Sequence, residues 1–148
     1  FTGVEHRIEL VRELDGVKYY NDSIGTSPTR TMACLDSFEQ KLILIAGGYD
    51  KGVPFTQLGV EIVRQVKALI LTGDTAPAIR KAVEEAEGFS DSGLKLIETE
   101  DLATAVSAAR DIAQKGDVVV LSPACAAFDR FKNFMERGKV FKRLVNDL

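Results

Sequence analysis

Short apolar runs alternate with amphipathic stretches along most of this chain, and that alternation restricts it to few folds. Four runs have the length and composition of buried β-strands: Leu42–Ala46, Val66–Leu71, residues 94–97 and Val118–Leu121. Stretches with helical spacing of apolar residues predict helices over 28–38, 55–64, 76–86, 102–114, 129–136 and 139–146. Right-handed crossovers between such strands produce a parallel sheet. We therefore predict an α/β fold, with a mainly parallel sheet flanked by helices.

A β-hairpin is predicted ahead of this alternating region. Residues 7–13 and Val17–Asn21 have the composition of strands, and Asp15-Gly16 lies between them. That dipeptide is typical of a tight hairpin turn, because glycine tolerates the positive φ that the turn requires. The 148 residues contain no linker, repeat or low-complexity segment. We therefore predict one domain over residues 1–148, with the hairpin at its N-terminal end.

Charge and composition argue against several classes of protein. The net charge of −3 and the pI near 5.3 are unlike the basic surface of a general nucleic-acid binder. No apolar run reaches the ~18 residues of a membrane span, and no signal peptide is visible, so we expect a cytoplasmic protein without a membrane partner. Cys34 and Cys125 lie in apolar surroundings, which favours buried free thiols and leaves a disulfide open. With His6 as the single histidine, no zinc site is predicted.

Ligands of open parallel sheets bind beyond the carboxyl ends of the strands, so the loops at 21–27, 47–52, 72–75 and 122–129 are the candidates for function. The first loop carries Asn21, Asp22, Ser23, Thr26 and Ser27 just before a predicted helix start. Free backbone N–H groups at such a start attract anions. Ordinary helix capping would select the same residue types.

Two of the other loops, at 47–52 and 122–129, predict a positive charge beside an open space. Gly47, Gly48 and Gly52 permit close approach of a ligand to the backbone, and Lys51 supplies a positive charge that suits a carboxylate or remains solvated. The loop after Val118–Leu121 is built mostly of small residues, and Arg137 follows in the next predicted helical region. Cys125 has no base beside it in the sequence, so packing is its expected role.

Two alternative functions arise from the first loop alone. Asn21-x-Ser23-x-Gly25 resembles a nucleophile elbow, but the usual chain order puts a histidine base after the serine, whereas His6 precedes Ser23. A phosphorylated receiver domain needs a cluster of acids at the strand ends, and only Asp22 lies at such a position. A free-standing α/β ligand-binding or regulatory module without catalytic activity remains the main alternative.

Five motifs in a fixed order resemble the C-terminal domain of the Mur ligases, in their D-glutamate-adding branch. The motifs are His6-Arg7-x-Glu9; Asn21-Asp22-Ser23-x-x-Thr26-x-Pro28; Gly47-Gly48-x-Asp50-Lys51-Gly52; Ser122-Pro123-Ala124-Cys125-Ala126 through Phe128-Asp129; and Phe131-x-Asn133-Phe134-x-x-Arg137-Gly138-x-x-Phe141. The resemblance runs from Val4 to about Val145, nearly the whole chain.

The resemblance implies a Rossmann-like domain, the third of three in a monomeric bacterial enzyme. The other two domains, absent from this chain, would hold the nucleotide-linked sugar, most of the ATP machinery and the Mg²⁺ ligands. In the implied reaction, ATP phosphorylates the L-alanine carboxylate of UDP-N-acetylmuramoyl-L-alanine. The amine of D-glutamate then displaces phosphate from the acyl phosphate, in a step of peptidoglycan synthesis. The isolated domain is expected to be inactive.

The resemblance also implies roles for particular residues. Arg7 and Asp22 match positions that contact ATP, with Asn21 and Ser23 supporting the same loop. The positions matching the D-glutamate site are Thr26, Lys51 and Phe134, together with Ala127 and Phe128. A dicarboxylate needs cations and N–H donors, which agrees with Lys51.

Two positions depart from the family pattern. Ile24 stands where many members have a lysine that reaches phosphate, and Ala127 stands where many have a serine that donates to D-glutamate. We expect backbone N–H groups of Ala127 and Phe128, at a predicted helix start, to replace that missing hydroxyl.

Overall fold

A computed structural model describes residues 4–148 as a six-stranded sheet with helices on both faces. The strands are β1 Glu9–Leu14, β2 Val17–Asn21, β3 Leu42–Ala46, β4 Val66–Leu71, β5 Lys95–Glu98 and β6 Val118–Leu121. The helices are α1 Pro28–Asp36, α2 Thr56–Gln65, α3 Ala76–Glu84, α4 Phe89–Ser92, α5 Leu102–Ile112 and α6 Phe134–Asn146. The predicted α/β class is confirmed.

The strand order β1-β2-β6-β3-β4-β5 places β3 and β6 at the centre of the sheet. Only β1 and β2 pair in antiparallel fashion; β2–β6, β6–β3, β3–β4 and β4–β5 pair in parallel. From β3 the chain proceeds outward to β4 and β5, and it then returns to place β6 on the other side of β3. This reversal opens a crevice at the carboxyl ends of β3 and β6, which is where ligands bind in open α/β sheets.

Two apolar layers hold the sheet between the helices. One face packs against α1, α2 and α3 through residues such as Leu35, Leu58 and Ile79, and the other packs against α5 and α6 through Val106 and Phe141. All of β3 and β6 is buried, which explains why both strands are continuously apolar. Burial of that surface is the main driving force for the fold.

The hairpin forms as predicted, but its first strand begins two residues later than the predicted 7–13. Asp15 and Gly16 both have positive φ, at 54° and 80°, as a two-residue hairpin turn requires. Before the strand, His6 and Ile8 also have positive φ, at 68° and 45°. Extended pairing is not compatible with that backbone, so β1 starts only at Glu9.

The predicted pair of helices over 129–136 and 139–146 is wrong, because a single helix, α6, spans Phe134–Asn146. Asn133 caps it, with its side chain accepting a hydrogen bond from the Glu136 N–H at 2.9 Å. Gly138 falls between the two predicted ranges, yet it lies inside the helix. A side chain there would overlap the His6 ring, so the glycine exists for packing rather than for a turn.

The remaining differences from prediction are at element boundaries, apart from one short helix that was not predicted. Helices α1, α3 and α5 end two residues before their predicted limits, α2 is shifted by one residue, and β5 is also shifted by one. The four-residue α4 lies between Gly88 and Gly93, which are both left-handed. Within residues 4–148 the longest helix has 13 residues, and none is long and apolar enough to cross a membrane.

The Gly138–His6 contact predicts that alanine at this helix position destabilises the fold, whereas alanine usually stabilises it. Alanine at a helix-interior glycine normally stabilises by about 1 kcal/mol, but overpacking in a core costs roughly 1–3 kcal/mol. We expect Gly138→Ala to lower the free energy of unfolding, measured by chemical denaturation of the chain. Combined with His6→Ala, the same substitution should become neutral or stabilising. A stabilised Gly138→Ala single variant would contradict the packing described.

Candidate functional site

Three loops converge at the crevice between β3 and β6. The N–H of Gly47, after β3, donates to the Pro123 carbonyl, after β6, at 2.9 Å, and Tyr49 N–H donates to the Ala126 carbonyl at 2.9 Å. Gly47 has φ of 112°, and a side chain there would overlap the Thr72 carbonyl oxygen after β4. The glycine-rich sequence after β3 is therefore required for the loops to approach each other this closely.

The first pocket at this edge, which we call the acceptor pocket, has a volume of about 100 Å³. Its lining comes from the β2–α1 loop, the loops after β3 and β6, and the segment before α2: Thr26, Ser27, Pro28, Tyr49, Lys51, Val53, Phe55, Ala124 and Cys125. Thr26 and Lys51, predicted from separate loops, are thus brought together. Lys51 is exposed and, within the described chain, forms no ion pair with a protein carboxylate. The pocket therefore offers an ammonium and a hydroxyl group on a largely apolar wall.

The second pocket, which we call the arginine pocket, has a volume of about 170 Å³ and lies on the other side of the β2–α1 loop. It is lined by Arg7, Ile8, Asp22, Ile24, Arg30, Ala33, Cys34 and Ser37. Arg7 and Asp22, both predicted to contact ATP, are brought together here. The sequence analysis did not predict Arg30 as a site residue. Its position in the first helical turn after the candidate loop could have indicated it. Two exposed guanidinium groups beside one pocket suit a phosphate-bearing ligand.

Asp22 is held firmly at the base of the arginine pocket. Its Oδ1 accepts a hydrogen bond from the Ile8 N–H at 3.1 Å, and its Oδ2 accepts one from the Ser122 hydroxyl at 2.7 Å. The side chain is 3% exposed, and burial raises the pKa of the carboxyl group. Asp22 therefore ties the start of β1 to the loop after β6, while it lines the pocket.

Asn21, Ser23 and Phe134 lie behind the pockets rather than in their linings. Asn21 Nδ2 is 3.1 Å from Glu9 Oε1 and 2.9 Å from His6 Nδ1, and its Oδ1 accepts from the Ser23 N–H at 3.1 Å. The Ser23 hydroxyl is buried and donates to the Phe134 carbonyl at 2.7 Å, so it is not displayed as a nucleophile. The Phe134 ring meets His6 edge-on, with centroids 6.0 Å apart.

The expectation that Ala127 and Phe128 begin a helix is wrong. Helix α6 begins at Phe134, and the Ala127 carbonyl instead accepts hydrogen bonds from the N–H groups of Arg130 and Phe131 at 3.1 and 2.9 Å. Ala127 is buried and lines neither pocket, so a helix-end anion site is not available there. Phe128 is 62% exposed and packs edge-on against Tyr49 at the mouth of the acceptor pocket.

Arg137 is a further residue to which the sequence analysis gave no role. It is buried in the first turn of α6 and donates two hydrogen bonds to Ser23, from Nε to Oγ at 3.0 Å and from Nη2 to the carbonyl at 2.9 Å. Burial lowers the pKa of its guanidinium to about 10, so the group is charged at neutral pH. Its position in the first turn of a helix gave no sign that it would reach the β2–α1 loop.

Within residues 4–148 there is no group of three histidine, cysteine or acidic side chains arranged to hold a metal ion. Cys34 and Cys125 are both buried and unpaired with each other, so the expected free thiols are found. Burial raises the pKa of both thiols, that of Cys125 to about 11.

Comparison with protein families gives a match to the family described as Mur ligase, glutamate ligase domain, over residues 6–125. A UDP-N-acetylmuramoylalanine–D-glutamate ligase of Acetivibrio thermocellus is 55% identical over 150 residues, and one of Clostridium botulinum (strain Okra / Type B1) is 51% identical over 148 residues. All of this chain is matched in both comparisons, but it spans only 32% of the length of either relative.

Solved structures show the same fold at low identity. A murein peptide ligase from Psychrobacter arcticus superposes with a TM-score of 0.63 at 14% identity, over 100% of this chain and 31% of that one. A bifunctional folylpolyglutamate synthase/dihydrofolate synthase from Yersinia pestis, complexed with AMPPNP and Mn ion, gives 0.62 at 14% identity, over 97% and 32% respectively. These likenesses confirm the architecture of a mainly parallel sheet between helices.

The buried thiols lead to a prediction about reactivity. Only the thiolate is nucleophilic, and both burial and a raised pKa oppose its formation in Cys34 and Cys125. We expect neither thiol to react with an aromatic disulfide reagent at pH 8 in the folded chain, and both to react after denaturation. Absorbance of the released thiolate gives the count. Rapid reaction of either thiol in the folded chain would refute this description.

Proposed function

Because the chain belongs to the Mur ligase family, matching its glutamate ligase domain, we propose that it forms the C-terminal domain of an ATP-dependent ligase that adds D-glutamate to UDP-N-acetylmuramoyl-L-alanine. The D-glutamate ligases that are 51–55% identical over the whole chain support the choice of amino acid. Since the chain spans 32% of those relatives, the sugar-nucleotide site and most of the ATPase machinery are assigned to N-terminal and central domains of the same polypeptide.

The observation that carries the proposal is that one loop lines two pockets of different chemistry. In the β2–α1 loop, Asp22 and Ile24 line the arginine pocket, while Thr26 and Ser27 line the acceptor pocket. A ligase of this type must hold a phosphate-bearing nucleotide and an amino acid close together. The shared loop supports such an arrangement, because the residues that line one pocket lie only a few positions in the sequence from those that line the other.

The acceptor pocket is suited to a dicarboxylic amino acid. Lys51 supplies a charge-assisted hydrogen bond to one carboxylate, and the Thr26 hydroxyl adds a second donor. Held in this way, the amine of D-glutamate attacks the carbonyl carbon of the acyl phosphate made from the L-alanine carboxylate, and phosphate leaves. The main contribution of this chain is therefore orientation, which brings the two reactants together at high effective concentration.

The arginine pocket is assigned to ATP. Arg7 and Arg30 provide guanidinium groups for phosphate or for the face of the adenine ring, and the buried Asp22 lines the same pocket. Mg²⁺ would neutralise phosphate charge, with its ligands in the central domain. Alone, the chain is proposed to be inactive, and the complete enzyme is proposed to act as a monomer in the bacterial cytoplasm. Asn21, Ser23 and Phe134 support the loop from behind.

The central test uses the full-length protein, with phosphate release from ATP measured in the presence of UDP-N-acetylmuramoyl-L-alanine. We expect turnover with D-glutamate but not with L-glutamate or L-lysine. Lys51→Ala should raise KM for D-glutamate about 10- to 150-fold, because a hydrogen bond to a charged group is worth roughly 1.5–3 kcal/mol.

A matched control for this test is Lys41→Ala. Lys41 is exposed and precedes the amino end of β3, whereas Lys51 follows the carboxyl end, so its removal should leave KM unchanged. Turnover with a different amino acid would show that the protein is a Mur ligase with another amino-acid specificity. Absence of any turnover would favour a ligand-binding module without catalytic activity.

The arginine pocket gives a separate prediction for the same assay. Arg30→Ala should raise KM for ATP about five-fold, since exposed charge pairs contribute up to roughly 1 kcal/mol. KM for D-glutamate should stay constant, because Arg30 does not line the acceptor pocket. An equal rise in both constants would show that Arg30 acts on the shared loop rather than on ATP.

A further inference from the structure

A single buried guanidinium, that of Arg137, lies between the two loops that carry the proposed ligand residues. The side chain is 3% exposed, and Nε and Nη2 both donate to Ser23, at 3.0 Å to its Oγ and 2.9 Å to its carbonyl oxygen. The Ser23 hydroxyl in turn donates a hydrogen bond to the Phe134 carbonyl at 2.7 Å. The β2–α1 loop is therefore bound to the start of α6 through Arg137.

The remaining guanidinium nitrogen of Arg137, Nη1, faces the β3–α2 loop. Nη1 is buried without a hydrogen-bond partner among the described residues, and it lies 3.3 Å from the point that a side-chain carbon of Gly48 would occupy. Gly48 is fixed from its other side by Thr75, whose hydroxyl accepts from the Gly48 N–H at 3.0 Å. The β3–α2 loop is thus packed directly against the guanidinium.

Stability alone does not explain why an arginine is buried at this position. In residues 4–148 no carboxylate lies within ion-pair distance of Arg137, and the nearby Asp129 leaves its Oδ2 buried without a partner. Burying an unpaired charge costs free energy that an apolar side chain of similar size would avoid. A role for the planar, multiply donating group itself accounts for its presence.

We propose that Arg137 is a positioning residue that sets the spacing between the β2–α1 and β3–α2 loops, and thereby the geometry of both ligand pockets. The inference rests on the proposed function, which it deepens. Thr26 lies three residues after Ser23, and Lys51 lies three residues after Gly48. If Ser23 or Gly48 moves relative to Arg137, one side of the acceptor pocket therefore moves relative to the other. Asp22, which precedes Ser23, carries the shift into the arginine pocket.

The proposal predicts a kinetic pattern different from that of a residue that touches substrate. In the full-length protein, Arg137→Lys keeps the charge but loses the paired donors, so KM should rise for both D-glutamate and ATP, by about 10- to 100-fold for misplacements near 1 Å. Lys51→Ala, in contrast, should raise KM for D-glutamate alone. Ser23→Ala should give a smaller rise of the same kind, and it should not add to the effect of Arg137→Lys.

Chemical rescue separates positioning from a general loss of structure. Arg137→Ala leaves a buried space the size of a guanidinium, so added guanidinium ion, far below denaturing concentrations, should lower both KM values toward those of the wild type. Arg143→Ala, on an exposed position of the same helix, should match the wild type and show no rescue. Circular dichroism establishes that each variant is folded, and if Arg137→Ala is not, Arg137→Lys decides.

The two possible failures are distinguishable. Wild-type protein that releases no phosphate in response to D-glutamate would refute the proposed function. Active wild-type protein with unchanged KM values in folded Arg137→Lys would refute the positioning role and leave the function intact. A fall in kcat that tracks the folded fraction, without a change in KM, would also refute it, because that is the result of lost stability alone.

Discussion

The parallel pairing of β3 with β6 is the constraint on which the rest of this molecule depends. Both strands are buried on both faces, so their pairing is fixed by apolar layers on each side of the sheet. Because they are parallel, their carboxyl ends lie together and the loops that follow them must meet. The Gly47–Pro123 and Tyr49–Ala126 hydrogen bonds are the direct consequence. The acceptor pocket exists because these loops cannot separate without disturbing the centre of the sheet.

Buried polar contacts then give these loops a defined shape. Asp22 joins the start of β1 to Ser122, Asn21 joins His6 to Ser23, and Arg137 joins Ser23 to the vicinity of Gly48. Each is a buried hydrogen-bonding group with at least one partner 14 or more residues away in the sequence. Loss of one partner would leave the other buried and unsatisfied, which costs more than the bond itself contributes. The loops are therefore held by long-range polar contacts, and the exposed Lys51 and Arg30 are carried on this rigid base.

Prediction from the sequence succeeded where local pattern and buried structure agree. Strands β2, β3, β4 and β6 have the predicted limits. For β3 and β6 the reason is that an apolar run is a direct consequence of burial on two faces. Prediction failed at α6, where two helices over 129–136 and 139–146 were predicted and a single helix starting at Phe134 is found. Gly138 is explained by the His6 ring, 132 residues earlier in the chain, and no local rule reports such a contact.

The sequence by itself determined the α/β class, the central strands, the hairpin turn and the loops that carry the candidate residues, because these depend on periodicity and on the conformations that individual residues allow. The motifs also predicted that Thr26 and Lys51 lie together, and both line the acceptor pocket. Only the tertiary structure decided that Asp22 and Thr26 face different pockets, that Arg30 joins Arg7, and that Arg137 lies between two loops. Those facts depend on which side of a loop a side chain leaves and on contacts between distant segments. Such contacts are set by the packing of the whole domain, which no short stretch of sequence encodes.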